Sequence, residues 1–338
     1  MQLWFEQIVL PYINKLIQSP KKYLIGFLLT SVVFGYLLVM AYKGIQQLLK
    51  TEIHFDLVFL AISLACQFMG VLLAAGVWDN ILRRLDVASG YLFDLQTFCL
   101  STIARKLPGF IWSAVSRVAM YKYESWPAYL VILAVVVESI MLAFGGLVAL
   151  VIGIFAGAIN LPVIINHVLV ILVITILILG VGWLGPLAIR FAVKRINKSA
   201  KDGEDAQLMK VGFWDILRWL IGETMVIVLG AGVAFFLIKA TDANTRVPFA
   251  AIVGAWGLAV ALGPLTDWLF ADLGLKFGIM YLALSPFLGG PMAAVLTLAW
   301  RLWVSLLEIL FGLVAGITIS KKKGWFQQLL RKGKKIHD

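Results

Sequence analysis

Apolar runs of 20 or so residues recur from Tyr23 to Ile319, and they decide what the chain can fold into. A helix of about 20 apolar residues is what crosses a hydrocarbon core about 30 Å thick, and no soluble core absorbs so many such runs. The runs are Tyr23 to Tyr42, Phe55 to Trp78, Pro127 to Ala156, Leu161 to Leu187, Phe213 to Ile238 and Val247 to Leu265. Two further stretches, Trp268 to Leu288 and Pro291 to Ile319, bring the predicted number of spans to about eight. The first of these holds Asp272, Lys276 and several glycines and reads as a broken or re-entrant segment. Composition agrees, because only 14% of the residues are charged and 62% are hydrophobic, whereas soluble domains carry about 25% charged residues. The predicted fold class is therefore all-α: a polytopic integral membrane protein of about eight transmembrane helices with two interrupted or re-entrant segments.

Orientation follows from Lys and Arg, which collect in cytoplasmic loops. With eight spans, the outer side receives only Lys43, Lys50, Lys239 and Arg246. The inner side receives Lys15, Lys21 and Lys22, the Arg83 to Lys122 group, the Arg190 to Lys210 group and the tail cluster from Lys321 to Lys335. Both termini are accordingly expected in the cytoplasm. Residues 1–22 have scattered polar residues and no cleavage pattern, so they read as an amphipathic helix on the inner surface rather than a signal peptide. A single transmembrane domain is expected over 23–319, with a polar cytoplasmic loop at about 190–212, followed by a polybasic tail over 320–338. The net charge of +11 has anionic headgroups as its expected partner and not nucleic acid, since the cations sit in short loops beside membrane helices. Cys66 and Cys99 lack metal-ligand spacing and read as small buried hydrophobes.

Each half of the chain has one segment that breaks the rules of a lipid-facing helix. From Phe93 to Tyr121, Arg105, Lys106 and Arg117 alternate with apolar residues, and a Pro-Gly pair at 108 and 109 interrupts the run. From Gly263 to Gly290, Asp267, Asp272 and Lys276 stand among glycines, with Pro286 and a Gly-Gly-Pro run after them. Such interruptions are tolerated at membrane depth only where protein or a wet cavity surrounds them.

A charge within a span costs about 2.5 to 3.5 kcal/mol on insertion scales, which makes each one a functional candidate. These are Arg117, Glu138, Lys276, Arg301 and Glu308, with Glu223, Asp267 and Asp272 as secondary candidates. Glu138 and Glu223 fall near mid-depth. They either meet Arg117, Lys276 or Arg301 around a polar cavity or serve as locks between helices. Arg301 and Glu308 are two turns apart on one face, too far for an i,i+4 pair. Arg105 and Lys106 precede Pro108-Gly109, where a helix start would offer free N–H groups to a phosphate; the competing reading is ordinary interface cations.

Enzymatic motifs are missing. There is no HExxH, no GxxxxGK[ST] phosphate loop, no GxSxG and no headgroup-transferase aspartate pattern, and only three histidines occur. The expectation is a protein without catalytic residues, metal or cofactor.

The order of these features resembles the flippase-like transmembrane domain of lysylphosphatidylglycerol synthases and its stand-alone relatives. It is carried by STIARKLPGFIWSAVSR (Ser101 to Arg117), by Glu138 in the next span, by a late Gly-rich break, and by a final helix with Arg301 and Glu308. The resemblance implies two re-entrant segments and a role in moving a lipid or lipid-linked molecule between leaflets, or in supporting an enzyme that uses one. Where that family has Arg-Glu after its late glycine turn, this sequence has Lys276 and Phe277, which points to a divergent substrate. The soluble synthase domain is not in this sequence, so synthase activity is not carried over. The expected partners are anionic or lipid-linked membrane lipids, and the expected location is the plasma membrane, of prokaryotic inner-membrane type. The alternative is a non-transporting accessory or scaffold subunit for a membrane glycosyltransferase or lipid-modifying enzyme.

Overall fold

The computed structural model describes residues 56–87, 89–106, 111–156, 211–241, 245–266 and 272–323, with short stretches between 35 and 46 and residue 187. The expected N-terminal helix, the span from Leu161 to Leu187 apart from its last residue, Asp267 and the tail beyond 323 lie outside the described residues. Among the described residues the chain is helical and has no strand. The helices are α1 (Leu57–Arg84), α2 (Tyr91–Ala104), α3 (Ile111–Tyr123), α4 (Ala128–Phe155), α5 (Phe213–Thr241), α6 (Phe249–Thr266), α7 (Asp272–Leu288) and α8 (Gly290–Lys323).

Four of them, α1, α4, α5 and α8, are long and apolar enough to cross a membrane. Their outward faces are apolar as well. On α8 alone Leu302, Leu306, Leu310, Leu313 and Ile317 are exposed, at the spacing of one helical face. A surface of that kind is solvated by hydrocarbon rather than water, and the protein is embedded in a membrane.

Side-chain register fixes how the helices run. Along α1 and α5, Ser63 donates to the Val233 carbonyl at 3.0 Å, Trp219 donates to Asn80 at 2.8 Å, and Arg84 pairs with Asp215 at 2.8 Å. Rising numbers on one helix meet falling numbers on the other, so the two are antiparallel over their whole length. Asp56 caps the start of α1 by accepting from the Val58 N–H at 2.8 Å.

The α4–α6 pair is closer still. A methyl group added at Gly146 would lie 2.6 Å from the Gly257 carbonyl, and one at Gly153 would lie 2.6 Å from the Gly254 Cα. The backbones touch through glycine, the small-residue packing that lets membrane helices approach where no hydrophobic force drives them together.

Helices α2 and α3 have only 14 and 13 residues, about 20 Å each at 1.5 Å per residue, too short to cross alone. Asp94 bonds Tyr121 and Ser101 bonds Arg117, which makes them an antiparallel hairpin whose open end lies beside the end of α1. Helix α8 runs antiparallel to α2, with Gln96 donating to Thr318 at 2.9 Å and Ile103 filling the notch at Gly312.

In the second half the helix is less broken than the glycines at 274 and 278 lead one to expect. α7 continues through both and through Pro286. Proline removes the amide that would have bonded the Leu282 carbonyl, and the Ser285 hydroxyl donates to that carbonyl instead, at 3.2 Å. The break falls at Gly289, whose φ of 74° belongs to the left-handed region. Beyond Ile319, α8 continues to Lys323, because the sequence offers no glycine or proline between Gly316 and Gly324.

Candidate functional site

The hairpin brings polar side chains into the interior one helical turn at a time. On α2, Asp94, Thr97 and Ser101 share a face and each is fully buried. On α3 the facing positions are Tyr121 and Arg117, four residues apart.

Arg117 lies at the centre with 2% of its surface exposed. Its Nη1 pairs with Glu138 of α4, and its Nε donates to the Ser101 hydroxyl at 3.0 Å. That hydroxyl is itself oriented by donating to the Phe98 carbonyl at 2.8 Å, which turns a lone pair toward the guanidinium. The guanidinium carbon stands 4.1 Å over the Trp78 ring and 5.0 Å from the Phe98 ring centroid, a cation–π cradle that lysine would fill poorly. Glu223 of α5, 3% exposed, feels the charges of Glu138, Arg117 and Arg105 and makes no ion pair or hydrogen bond with any described residue. It sits where α5 meets the notch of Gly145 on α4.

One turn toward the open end, Tyr121 accepts from the Trp78 indole N–H at 2.9 Å and donates to Asp94. Ser89 donates to the same Asp94 oxygen. Asp79 of α1 acts electrostatically on Asp94 and pairs with Arg83 at 2.9 Å. Three buried polar atoms of the hairpin, Asp94 Oδ2, Thr97 Oγ1 and Arg117 Nη2, have no hydrogen-bond partner among the described residues.

A second polar group forms where α2 ends against α8. Lys106 pairs with Glu308 and lies 3.2 Å from the Ser305 hydroxyl. Arg301 and Arg105 act on Lys106 electrostatically. Glu308 thus pairs across helices, while Arg301 makes no ion pair with any described residue. Arg105 is exposed.

Of the residues singled out from the sequence, Arg117, Glu138 and Glu223 come together in one cluster, and Lys106, Arg301 and Glu308 in another. Lys276 lies elsewhere, against Gly263 of α6. Asp272 opens α7, and residues 107–110, with the Pro-Gly pair, are outside the described residues. Sequence reasoning passed over Asp94, Tyr121 and Trp78. The signal for Asp94 was present, because Asp94, Thr97 and Ser101 mark one face of an otherwise apolar helix. Thr297 of α8 also went unmarked; its buried hydroxyl and the buried indole N–H groups of Trp300 and Trp303 have no hydrogen-bond partner among the described residues.

Among the described residues no group of three or more His, Cys, Asp or Glu is placed to hold a metal ion. Both cysteines are free thiols. No family model matches the sequence, and no curated protein matches it.

Proposed function

We propose that the protein is a flippase-like translocator that passes an anionic phospholipid or lipid-linked substrate between leaflets of a plasma membrane of prokaryotic inner-membrane type. The observation that carries this reading is a run of buried and part-buried polar side chains joined through α2. It leads from Asp94, Ser101, Arg117 and Glu138 to Lys106, Ser305 and Glu308, inside helices whose outer faces are apolar. Buried charge in a membrane protein is expensive and marks substrate or ion paths.

In this reading the chain has eight spans with both termini in the cytoplasm, and the α2–α3 hairpin is a re-entrant element that enters and leaves on the cytoplasmic side. Two features support that arrangement. The open end of the hairpin adjoins Arg83 and Arg84, and the basic end of α8 lies at the same level through Gln96 and Thr318. Arg105, Lys106 and Arg301 attract the headgroup phosphate, and the acyl chains stay in lipid. Glu138 and Glu308 keep the cations in place between passages. The resemblance to the flippase-like domain of lysylphosphatidylglycerol synthases points the same way. Lys276, on α7, belongs to a later part of the path.

The test is lipid movement between leaflets of proteoliposomes, with fluorescent anionic, zwitterionic and polyprenyl-phosphate lipids. Accelerated movement of one class, lost in Arg117→Ala and Glu138→Gln, supports the reading and identifies the substrate. Folded protein that moves none of them sinks it and leaves a scaffold for a membrane enzyme.

A further inference from the structure

The inward face of α8 carries more polar groups than its contacts use. Thr297, Arg301, Ser305 and Glu308 follow one another at helical spacing, opposite the exposed Leu302, Leu306, Leu310 and Leu313. Helix α2 covers only the basic half of this face. Gln96 meets Thr318, Ile103 fills the notch at Gly312, and Lys106 reaches Glu308 and Ser305. Since α2 stops at Ala104, Arg301 and Thr297 lie past its end. Arg301 stands one turn beyond Ser305, whose hydroxyl is 3.2 Å from the Lys106 ammonium.

The cations gathered here outnumber the carboxylates that touch them. Lys106 has Glu308. Arg105 and Arg301 make no ion pair with any described residue. Glu138 is held by Arg117, and Glu223, which also feels the charge of Arg105, is enclosed in α5 with 3% of its surface exposed. One turn past Arg301 the fully buried Thr297 hydroxyl has no hydrogen-bond partner among the described residues, and the Trp300 indole N–H beside it, on a side chain 6% exposed, has none either. The place is deep, since Glu308 lies about 20 Å along α8 from the basic end of that helix. Guanidinium groups at such depth are costly unless an anion meets them.

We infer that the end of α2 and the polar stripe of α8 bind a lipid phosphomonoester, a phosphate joined to its lipid through a single oxygen, in preference to a phosphodiester. A phosphomonoester offers three terminal oxygens and a charge of about −1.5 to −2 at neutral pH, against two such oxygens and about one charge on a phosphodiester. The donors match the larger count. Arg105 and Arg301 bring two planar forks suited to phosphate, and Lys106 and the Ser305 hydroxyl bring further hydrogens from between them. Thr297 and Trp300 are the next donors along α8. That this lipid is also the cargo rests on the translocation reading; the headgroup site does not.

Binding is read on the full-length protein in detergent by the anisotropy of a fluorescent phosphatidate. The competitors are unlabelled phosphatidate, phosphatidylglycerol with the same acyl chains, and inorganic phosphate. Phosphatidate is expected to compete about tenfold better than phosphatidylglycerol, and inorganic phosphate hardly at all. Arg301→Gln and Arg105→Gln should each erase that preference. Arg301→Lys should keep part of it, and Lys122→Gln, at an exposed cation near the end of α3, all of it. Cooperative thermal unfolding verifies that the variants are folded. No binding of the probe, equal competition by the two lipids, or a preference that survives both glutamine variants overturns the inference. So does inorganic phosphate competing as well as phosphatidate, because the site would then take a free anion. The same two lipids are followed between leaflets of proteoliposomes. If phosphatidate is preferred in binding and neither lipid moves, the headgroup site stands and the translocation reading falls. If both move at the same rate, translocation stands and the phosphomonoester falls as its cargo.

Discussion

Arg117 and Glu138, on adjacent helices, form an ion pair with almost no access to solvent on the arginine side. Removing one member of such a pair costs about 3–5 kcal/mol, because the other is left as an uncompensated buried charge. Arg117→Ala is therefore expected to lower thermal stability in detergent far more than the double variant Arg117→Ala with Glu138→Gln. A double-mutant cycle on unfolding midpoints measures the difference. Arg117→Lys should recover only part of the loss, since a lysine cannot both pair with Glu138 and bond Ser101 while lying flat over Trp78.

Glycines of the membrane helices should divide sharply by what faces them. Gly146→Ala places a methyl 2.6 Å from the Gly257 carbonyl and 2.7 Å from the Ala261 nitrogen, and overpacking of this kind costs about 1–3 kcal/mol. Gly70→Ala meets only the Leu229 Cβ at 3.7 Å, an ordinary contact. Its gain in helix preference, roughly 0.5–1 kcal/mol, should appear as a raised melting temperature.

Thr297 of α8 is fully buried, with a hydroxyl that bonds no described residue. Thr297→Val keeps the shape and removes the unsatisfied group. Stability should hold or rise by about 1 kcal/mol, in contrast to the usual loss on altering a buried residue. A fall of that size in the unfolding midpoint would mean that the hydroxyl has a partner.

The Lys106–Glu308 pair joins α2 to α8 and is only part-buried, so its exchange should be tolerated. Lys106→Glu alone sets two carboxylates against each other and is expected to slow lipid movement about tenfold, equivalent to about 1.4 kcal/mol. Combining it with Glu308→Lys should restore most of the rate in the proteoliposome assay. Failure of the swap to rescue would mean that the cation must stand on α2, at the place of Lys106, to meet the headgroup.

Much of the fold could be read from the chain because length and apolarity alone define a membrane helix. The runs at Phe55 to Trp78, Pro127 to Ala156, Phe213 to Ile238 and Pro291 to Ile319 needed no knowledge of neighbours. Pairing was another matter. Arg117 and Glu138 were recognisable as buried charges, but which of several partners each would meet depended on the hairpin register, which is set by contacts between helices far apart in sequence. Lys106 and Glu308 are separated by 202 residues, more than half of the chain, and nothing local joins them. Gly146 and Gly257 sit in apolar runs where a glycine facing a backbone looks the same as one facing lipid. Pro286 looked like an interruption, and only the Ser285 hydroxyl, invisible to a scan for helix breakers, explains why the helix survives it.

The glycine contacts of α4 with α6 also decide which parts of the bundle hold together as a unit. Two helices whose main chains interlock at Gly146, Gly153, Gly254 and Gly257 have no side-chain cushion between them, so neither can slide or roll without a collision of backbone atoms. They behave as one rigid plank, and Glu138 rides on it.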